Sequence, residues 1–367
     1  MKNKKLKVLF IAPIPPPYGG IANWFLMMKE YMNNRDDAIM VDVVNIAPTK
    51  RDLDGRTLWD RVVGQGKQMF KLNVELKKKI KEKTPNVIHM TTSGRLAIIR
   101  DILFLKTAKK FNVPVVYHIR YGRIPEISKK NTFEWKILSK AINLSTKTIV
   151  IDGFSYDSLL EYFENDKIVK LPNPFDLDKK RISVECDNAN DNKFITFIGW
   201  CIKEKGIEEL LEAWDEVSPQ YSDWKLQLIG PFDKQYKEKI LKKFNMKNVL
   251  IEGEQGHEEV MKKMACSSIF ILPSYTEGFP NAVLEAMSAK KAIIATSVGA
   301  IPDMLEDNCG LVIPKQNKSE IVNSLIKLIN NERLRVELGE NAYNKLVTQY
   351  SLDIVYSRYW ETWKEIS

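Results

Sequence analysis

Residues 268–286 read SIFILPSYTEGFPNAVLEA. The run Ile269-Phe270-Ile271-Leu272 is short, continuous and apolar, which is how a strand reads when both faces of its sheet are covered. It stops at Pro273, and after a polar loop Pro280 suits the first turn of a helix, because its missing N–H is one the helix leaves unpaired anyway. Strand, loop and helix in this order make one βα unit.

The same alternation of apolar run and amphipathic segment extends in both directions, the pattern of a parallel sheet flanked by helices. Strand candidates in the second half are 193–199, 224–230, 248–252, 268–274, 292–298 and 310–314. The first half offers 7–12, 39–45, 86–91, 113–118, 146–151 and 167–171. Each set fits one Rossmann-like domain, so the predicted fold class is α/β with two such domains. Met69, Leu72, Leu76 and Ile80 form an apolar stripe at helical spacing, with Lys71, Lys77, Lys78, Lys79 and Lys81 mostly off it. Residues 176–192 are rich in Asp, Asn and Lys and nearly empty of large apolar side chains, as a linker is. The predicted division is therefore 1–175, an N-terminal domain, and 176–345, a C-terminal domain. Residues 346–367 form a last helix whose Tyr356, Tyr359, Trp360 and Trp363 are too apolar for a free tail. That helix is expected to pack on the first domain.

The chain has 367 residues, long enough for two cores, with 44% hydrophobic and 28% charged residues, which disfavours disorder and low complexity. Cys186, Cys201, Cys266 and Cys309 show no C-x-x-C spacing and require no disulfide framework. A reducing, cytoplasmic setting is expected. The first residues imitate a secretion signal, but Pro13 cuts the apolar run and no small-x-small cleavage site follows, so a buried first strand is the better reading. No stretch reaches the roughly 18 apolar residues of a spanning helix. Charge is uneven: residues 1–175 hold 31 Lys and Arg against 17 Asp and Glu, and the remainder 25 against 30. The basic half suits an anionic bilayer at the inner face of a cell membrane or an acidic saccharide, or is simply a solvated surface. Nucleic acid is not expected as a partner, since neither a groove-reading element nor an aromatic RNA motif accompanies the charge.

Four segments can carry chemistry. Gly19 and Gly20 close the loop after the first strand, where a βα turn and a close approach to a ligand are both open readings. It is not G-x-G-x-x-G, so no dinucleotide site is indicated. His118 ends the strand 113–118, the end at which open α/β sheets bind ligands; a satisfied structural histidine is the alternative. His89 and His257 have no such placement. Gly199 and Lys205 bracket another strand-to-helix turn, where a lysine adds charge to the positive helix end, or is merely solvated. Finally Glu277, Gly278, Phe279, Pro280, Asn281 and Glu285 combine backbone amides at a helix start with two carboxylates. Carboxylates repel phosphate but accept the hydroxyls of sugars. Helix-terminal charge balance for Glu277 and an exposed helix face for Glu285 are the plainer readings.

Together these segments resemble the retaining glycosyltransferases of family 4, which have the GT-B fold of two Rossmann-like domains facing across a cleft. The resemblance covers most of the chain and is most specific at the E-x7-E signature, Glu277 and Glu285. Gly19-Gly20, Lys205-Gly206, Pro172-Asn173-Pro174 and Gly299-Ala300-Ile301-Pro302-Asp303 support it. It implies that Glu285 holds the donor ribose, Glu277 the sugar hydroxyls and Lys205 the diphosphate, while His118 orients the sugar. It also implies a nucleotide-sugar substrate, UDP-sugar favoured over GDP-sugar, with no cofactor and no metal, and a saccharide or lipid-linked acceptor. Trp200 departs from the family, which places an arginine there; Lys203 or Arg120 could replace the charge. Two D-x-D runs, at Asp52-Leu53-Asp54 and Asp176-Leu177-Asp178, read as turns rather than metal ligands. The alternatives are a nucleotide-sugar-binding regulatory protein on the same fold and a nucleotide-sugar epimerase, both separable by acceptor-dependent product formation.

Overall fold

The computed structural model describes residues 5–16, 19–34, 39–47, 58–178 and 193–367, with the side chains of 58–65 excepted. It divides into two compact units, one of Met1–Pro174 with Val355–Ser367, the other Phe175–Ile354.

The first unit holds strands β1 (Leu6–Ala12), β2 (Ile39–Asn45), β3 (Val87–Thr92), β4 (Val115–Ile119), β5 (Lys147–Val150) and β6 (Ile168–Lys170). They pair in parallel in the order β2-β1-β3-β4-β5-β6. Chain direction across the sheet reverses between β1 and β3, which opens a crevice beyond their carboxyl ends. Every residue of β3 and β4 is buried. Burial on both faces is why these runs do not alternate apolar with exposed polar residues, and why their His89, Thr91, Thr92 and His118 are buried too.

The helix Leu58–Lys83 lays Leu72, Leu76 and Ile80 into the core, with Lys71, Lys77 and Lys78 exposed. Met69 is only half-buried. Lys79 turns back to an ion pair with Asp42 at 2.7 Å. From the last helix, Leu352–Ile366, the side chains of Tyr356, Tyr359 and Trp363 are buried in this unit, and Trp360 is half-buried. Trp363 meets Phe10 edge-on at 5.7 Å between ring centres.

The second unit holds β7 (Phe194–Ile198), β8 (Lys225–Ile229), β9 (Val249–Gly253), β10 (Ile269–Leu272), β11 (Ala292–Thr296) and β12 (Leu311–Ile313). Its parallel order is β12-β11-β10-β7-β8-β9. Here the reversal lies between β7 and β10, so the segments after Ile198 and Leu272 face one crevice.

One expectation needs correction. The second unit runs past 345, because Leu346 and Tyr350 are buried in it and Phe175 donates to Tyr350 O at 2.7 Å while Leu352 donates to Phe175 O at 2.9 Å. The chain re-enters the first unit at Val355. Cys201 and Cys309 are free and buried, and Cys186 lies outside the described residues. Most of the expected linker, 179–192, and the run Asp52-Leu53-Asp54 lie outside the described residues. Among the described residues no helix is long and apolar enough to cross a membrane.

Leu76, fully buried, and Val74, half exposed, share one helix. Leu76→Ala is expected to cost about 2–5 kcal/mol in urea unfolding, whereas Val74→Ala stays within about 0.5 kcal/mol.

Candidate active site

In the second unit the crevice is assembled by backbone contacts. After β7 the chain makes a 3-10 turn, Lys203–Lys205, and enters the helix Ile207–Val217 through Gly206 at φ +71°. A Cβ on Gly206 would lie 2.1 Å from the carbonyl oxygen of Pro273. Only glycine permits both that angle and that approach. The amide of Tyr275 donates to Glu204 O at 2.9 Å, completing the junction of the β7 and β10 loops.

This junction puts Lys205 beside Glu277. Lys205 Nζ lies 2.5 Å from Glu277 Oε1, and Ser274 Oγ donates to the same oxygen at 2.7 Å. Both contacts use Oε1, which leaves Oε2 to accept from a ligand hydroxyl. The ammonium has further N–H groups beyond the one used here. Gly199, at φ +150°, lies on the other side of the turn, and its carbonyl packs so closely on Gly230 that a Cβ there would come within 2.0 Å.

The loop Gly278-Phe279-Pro280 leads into the helix Asn281–Ser288. Pro280 is its N-cap rather than a first-turn residue, with φ −75° and ψ 114°. The free amides at this end therefore begin at Asn281. A second glycine pins the loop: Gly299, at φ +54°, would bring a Cβ within 2.4 Å of Gly278 O, and the amide of Ala300 donates to that oxygen at 2.8 Å. Glu285 is not on an exposed face. It is buried, and its Oε1 lies 3.0 Å from His257 Nε2.

In the first unit His118 is fully buried at the carboxyl end of β4. Its Nδ1 lies 3.1 Å from Nε2 of His89, whose own Nδ1 accepts from Trp363 Nε1 at 2.9 Å. Trp24, from the helix Gly20–Asn33, meets His118 edge-on at 5.1 Å and stacks on His89 at 5.4 Å. Arg120 lies over the Trp24 ring at 4.6 Å, with Nη1 3.4 Å from His118 Nε2. Burial, and then the nearby Arg120 charge, push His89 down to about 3 and hold His118 well below the usual histidine range. Gly19 precedes this helix with extended backbone, and a Cβ at Gly19 or Gly20 would meet open space. Packing within the unit therefore does not demand glycine at either position. Pro17 and Tyr18 of that loop lie outside the described residues.

Residues 178–345 match the family model of the glycosyl transferases group 1. An uncharacterized glycosyltransferase of Methanocaldococcus jannaschii is 34% identical over 157 residues, 42% of this chain and 43% of that protein. The capsular polysaccharide biosynthesis glycosyltransferase CapM of Staphylococcus aureus is 23% identical across 90% of this chain and 84% of its own length. Among solved structures, Anabaena HepE in complex with UDP superposes with a TM-score of 0.75 at 16% identity, covering 98% of this chain and all of that one. Residues 178–345 form a group 1 glycosyltransferase domain, and the chain as a whole has the GT-B fold, while it spans less than half the length of the Methanocaldococcus relative it matches.

Within this domain the crevice of the second unit unites Lys205, Ser274, Glu277 and the loop to Asn281. Glu285, one turn into the helix, is joined by His257. Gly199 is close by in the chain, and Trp200 after it is largely exposed. Lys203, the proposed substitute for the missing arginine, is exposed in the same turn. His118 and Arg120 belong to the first unit.

Sequence reasoning missed His89 and His257. His89 could have been found as the one ionisable group inside the apolar run Val87–Thr92; nothing local marks His257 as the neighbour of a residue far along the chain. Among the described residues no group of three or more His, Cys, Asp or Glu side chains is arranged to hold a metal ion.

Gly206 and Gly253 share φ +71°, but a Cβ on Gly253 meets nothing. Gly206→Ala should therefore lose more stability than Gly253→Ala, which carries only the backbone strain of about 1–3 kcal/mol; equal losses in urea unfolding would show that the Pro273 contact is soft. His89 gives a second test. Its folded pKa is depressed, so the unfolded chain binds the proton first and stability falls as pH drops from about 6.5 toward about 3. The slope is about 1.4 kcal/mol per pH unit for this group, and His89→Gln should remove it from urea midpoints compared at pH 7 and pH 5.

Proposed function

We propose that the chain is a retaining glycosyltransferase of the family 4 type, moving a sugar from a nucleotide-diphosphate sugar, UDP-sugar before GDP-sugar, to a saccharide or lipid-linked acceptor in bacterial surface polysaccharide assembly. The observation that carries this reading is the Lys205–Glu277–Ser274 cluster beside the helix start at Asn281. Glu277 Oε2 accepts from the sugar hydroxyls. Lys205, oriented by Glu277, supports the diphosphate together with the amides at Asn281. Glu285, held by His257, accepts from the ribose hydroxyls. HepE, a fold neighbour, is described with UDP, and CapM with capsular polysaccharide biosynthesis, which is the support for both donor and employment.

In the reaction the bond from the anomeric carbon to the diphosphate oxygen breaks, the bond to the acceptor oxygen forms on the same face, and the acceptor proton passes to the departing phosphate oxygen. Negative charge grows on that oxygen. Lys205 and the helix-end amides are fixed before it appears, and such preorganised electrostatics commonly contribute most to catalysis. With this cation in place the transfer is proposed to run without a metal ion. The first unit takes the acceptor, and its basic composition suits an anionic one or the inner face of a membrane.

Calorimetric titration with UDP, GDP and NAD in excess EDTA tests the reading. UDP is expected to bind most tightly, and Glu285→Ala to weaken it about tenfold or more, the value of a lost hydrogen bond to a charged group. Binding of NAD instead, or UDP binding indifferent to Glu285, would move the assignment to the epimerase reading or away from this crevice.

A further inference from the structure

The first unit carries an open cavity to which the glycosyl-transfer chemistry above gives no role. Its volume is about 570 Å³, and Ser93, Gly94, Arg95, Leu96, Ala97 and Arg123 line it. All but Arg123 directly follow β3, a strand that borders the reversal of strand order. The cavity therefore lies at the end of the sheet where ligands bind.

Its wall is held in place before any ligand arrives. Gly94 at φ +78° and Arg95 at φ +55° are consecutive left-handed residues, a conformation that disfavours a side chain such as arginine. A Cβ on Gly94 would lie 2.6 Å from the Tyr121 ring. Glu134 secures the rest: Oε1 accepts from the Arg95 amide at 2.8 Å, and both oxygens accept from Arg123 Nη2, at 2.9 and 3.0 Å. This one carboxylate balances one of the two positive charges. The Arg95 guanidinium is exposed, with no hydrogen bond or ion pair among the described residues. Arg123, its side chain 32% exposed, keeps Nε and Nη1 without a protein partner among them.

The surroundings are also apolar. Leu96 is 69% exposed, and Ile99, three residues further along the outward face of the helix Ala97–Lys110, is 45% exposed. Phe133, directly before Glu134, is 69% exposed. Single exposed apolar side chains are ordinary, but three attached to the walls of one charged cavity make a patch of the kind that contacts ligands or membranes.

The two characters select the ligand together. A carboxylate has two oxygens, which a single guanidinium fork already fills, whereas a phosphate offers three or more to two separate guanidiniums. The apolar shoulder calls for hydrocarbon on that phosphate. We propose that this cavity binds the phosphate of an amphiphile, with Arg95 and Arg123 on the phosphate oxygens and the hydrocarbon against Leu96, Ile99 and Phe133. Its use as the seat of a lipid-linked acceptor rests on the glycosyl-transfer reading above; the binding site itself does not.

The test titrates the full chain, labelled with 15N-arginine, with hexyl phosphate, inorganic phosphate, hexanoate and hexanol at constant ionic strength and slightly acidic pH. The Nε–H signals of Arg95 and Arg123 are followed, so that anions bound elsewhere do not count. Hexyl phosphate is expected to saturate both signals and to bind about tenfold or more tighter than inorganic phosphate, since each buried methylene contributes about fourfold. Hexanoate and hexanol should each bind about tenfold or more weakly than hexyl phosphate. Arg95→Gln should weaken binding read at Arg123 about tenfold, and Leu96→Ser should remove most of the advantage of hexyl over inorganic phosphate. Both residues are exposed, so these variants keep the fold. Arg333→Gln, exposed in the second unit, leaves the affinity unchanged. No saturable shift, equal affinity for hexyl and inorganic phosphate, equal affinity for hexanoate, or wild-type affinity in Arg95→Gln would each overturn the proposal. UDP binding in calorimetry without a hexyl phosphate shift sinks this proposal alone; the reverse pattern sinks the donor reading and leaves the cavity assigned.

Discussion

The approach of Gly206 to the carbonyl of Pro273 is the constraint on which the second unit's crevice depends. It joins the turn after β7 to the end of β10, at the point where the strand order reverses, with no room for a side chain between the two backbones. Because the contact is backbone on backbone, it holds the loops without any side-chain freedom, and the Tyr275 amide bond to Glu204 locks the second edge. Lys205 and Glu277, far apart in sequence, then meet at fixed positions. Gly299 repeats the device one loop further on, under Gly278. A crevice built this way is stiff before a ligand arrives, which is what electrostatic preorganisation requires.

Most of the fold was legible because buried parallel strands have a one-dimensional signature. An apolar run bounded by turn residues needs no partner information to be recognised, and the predicted strand at 39–45 coincides with β2, Ile39–Asn45. Others shift by a residue or two at the ends, as for 113–118 against Val115–Ile119, where Pro114 accepts from the Ile88 amide at 2.9 Å but has no N–H to give the ladder. The candidate site was legible to the extent that its residues cluster in sequence: 274–285 is a single strand-loop-helix. Lys205 was legible from its place at a strand end, but its ion pair with Glu277 was not. The His89–Trp363 bond spans 274 positions of sequence and has no local signal at all. Neither has the His257–Glu285 contact, since an exposed histidine at a helix start reads as ordinary surface.

The two units meet the problem of charge differently. In the second, Lys205 is paired, and its partner is also a ligand-binding candidate, so cation and carboxylate orient each other and remain partly open to solvent. The first unit is the basic half by composition, yet composition does not say which of its cations act. Most are exposed lysines like Lys71, Lys77 and Lys78, whose fields water and salt screen within about 10 Å. Arg120 differs in kind. It is drawn into an aromatic setting of Trp24 and Tyr359, where burial lowers it to about 10 from its ordinary value while leaving it charged at neutral pH. A screened surface charge raises the local concentration of anions, whereas a desolvated one acts on its immediate neighbours, here His118 and Trp24. The long-range attraction of the half and the short-range position of one guanidinium are therefore separate properties, set by separate residues. Only the second depends on the packing of the last helix beneath His89.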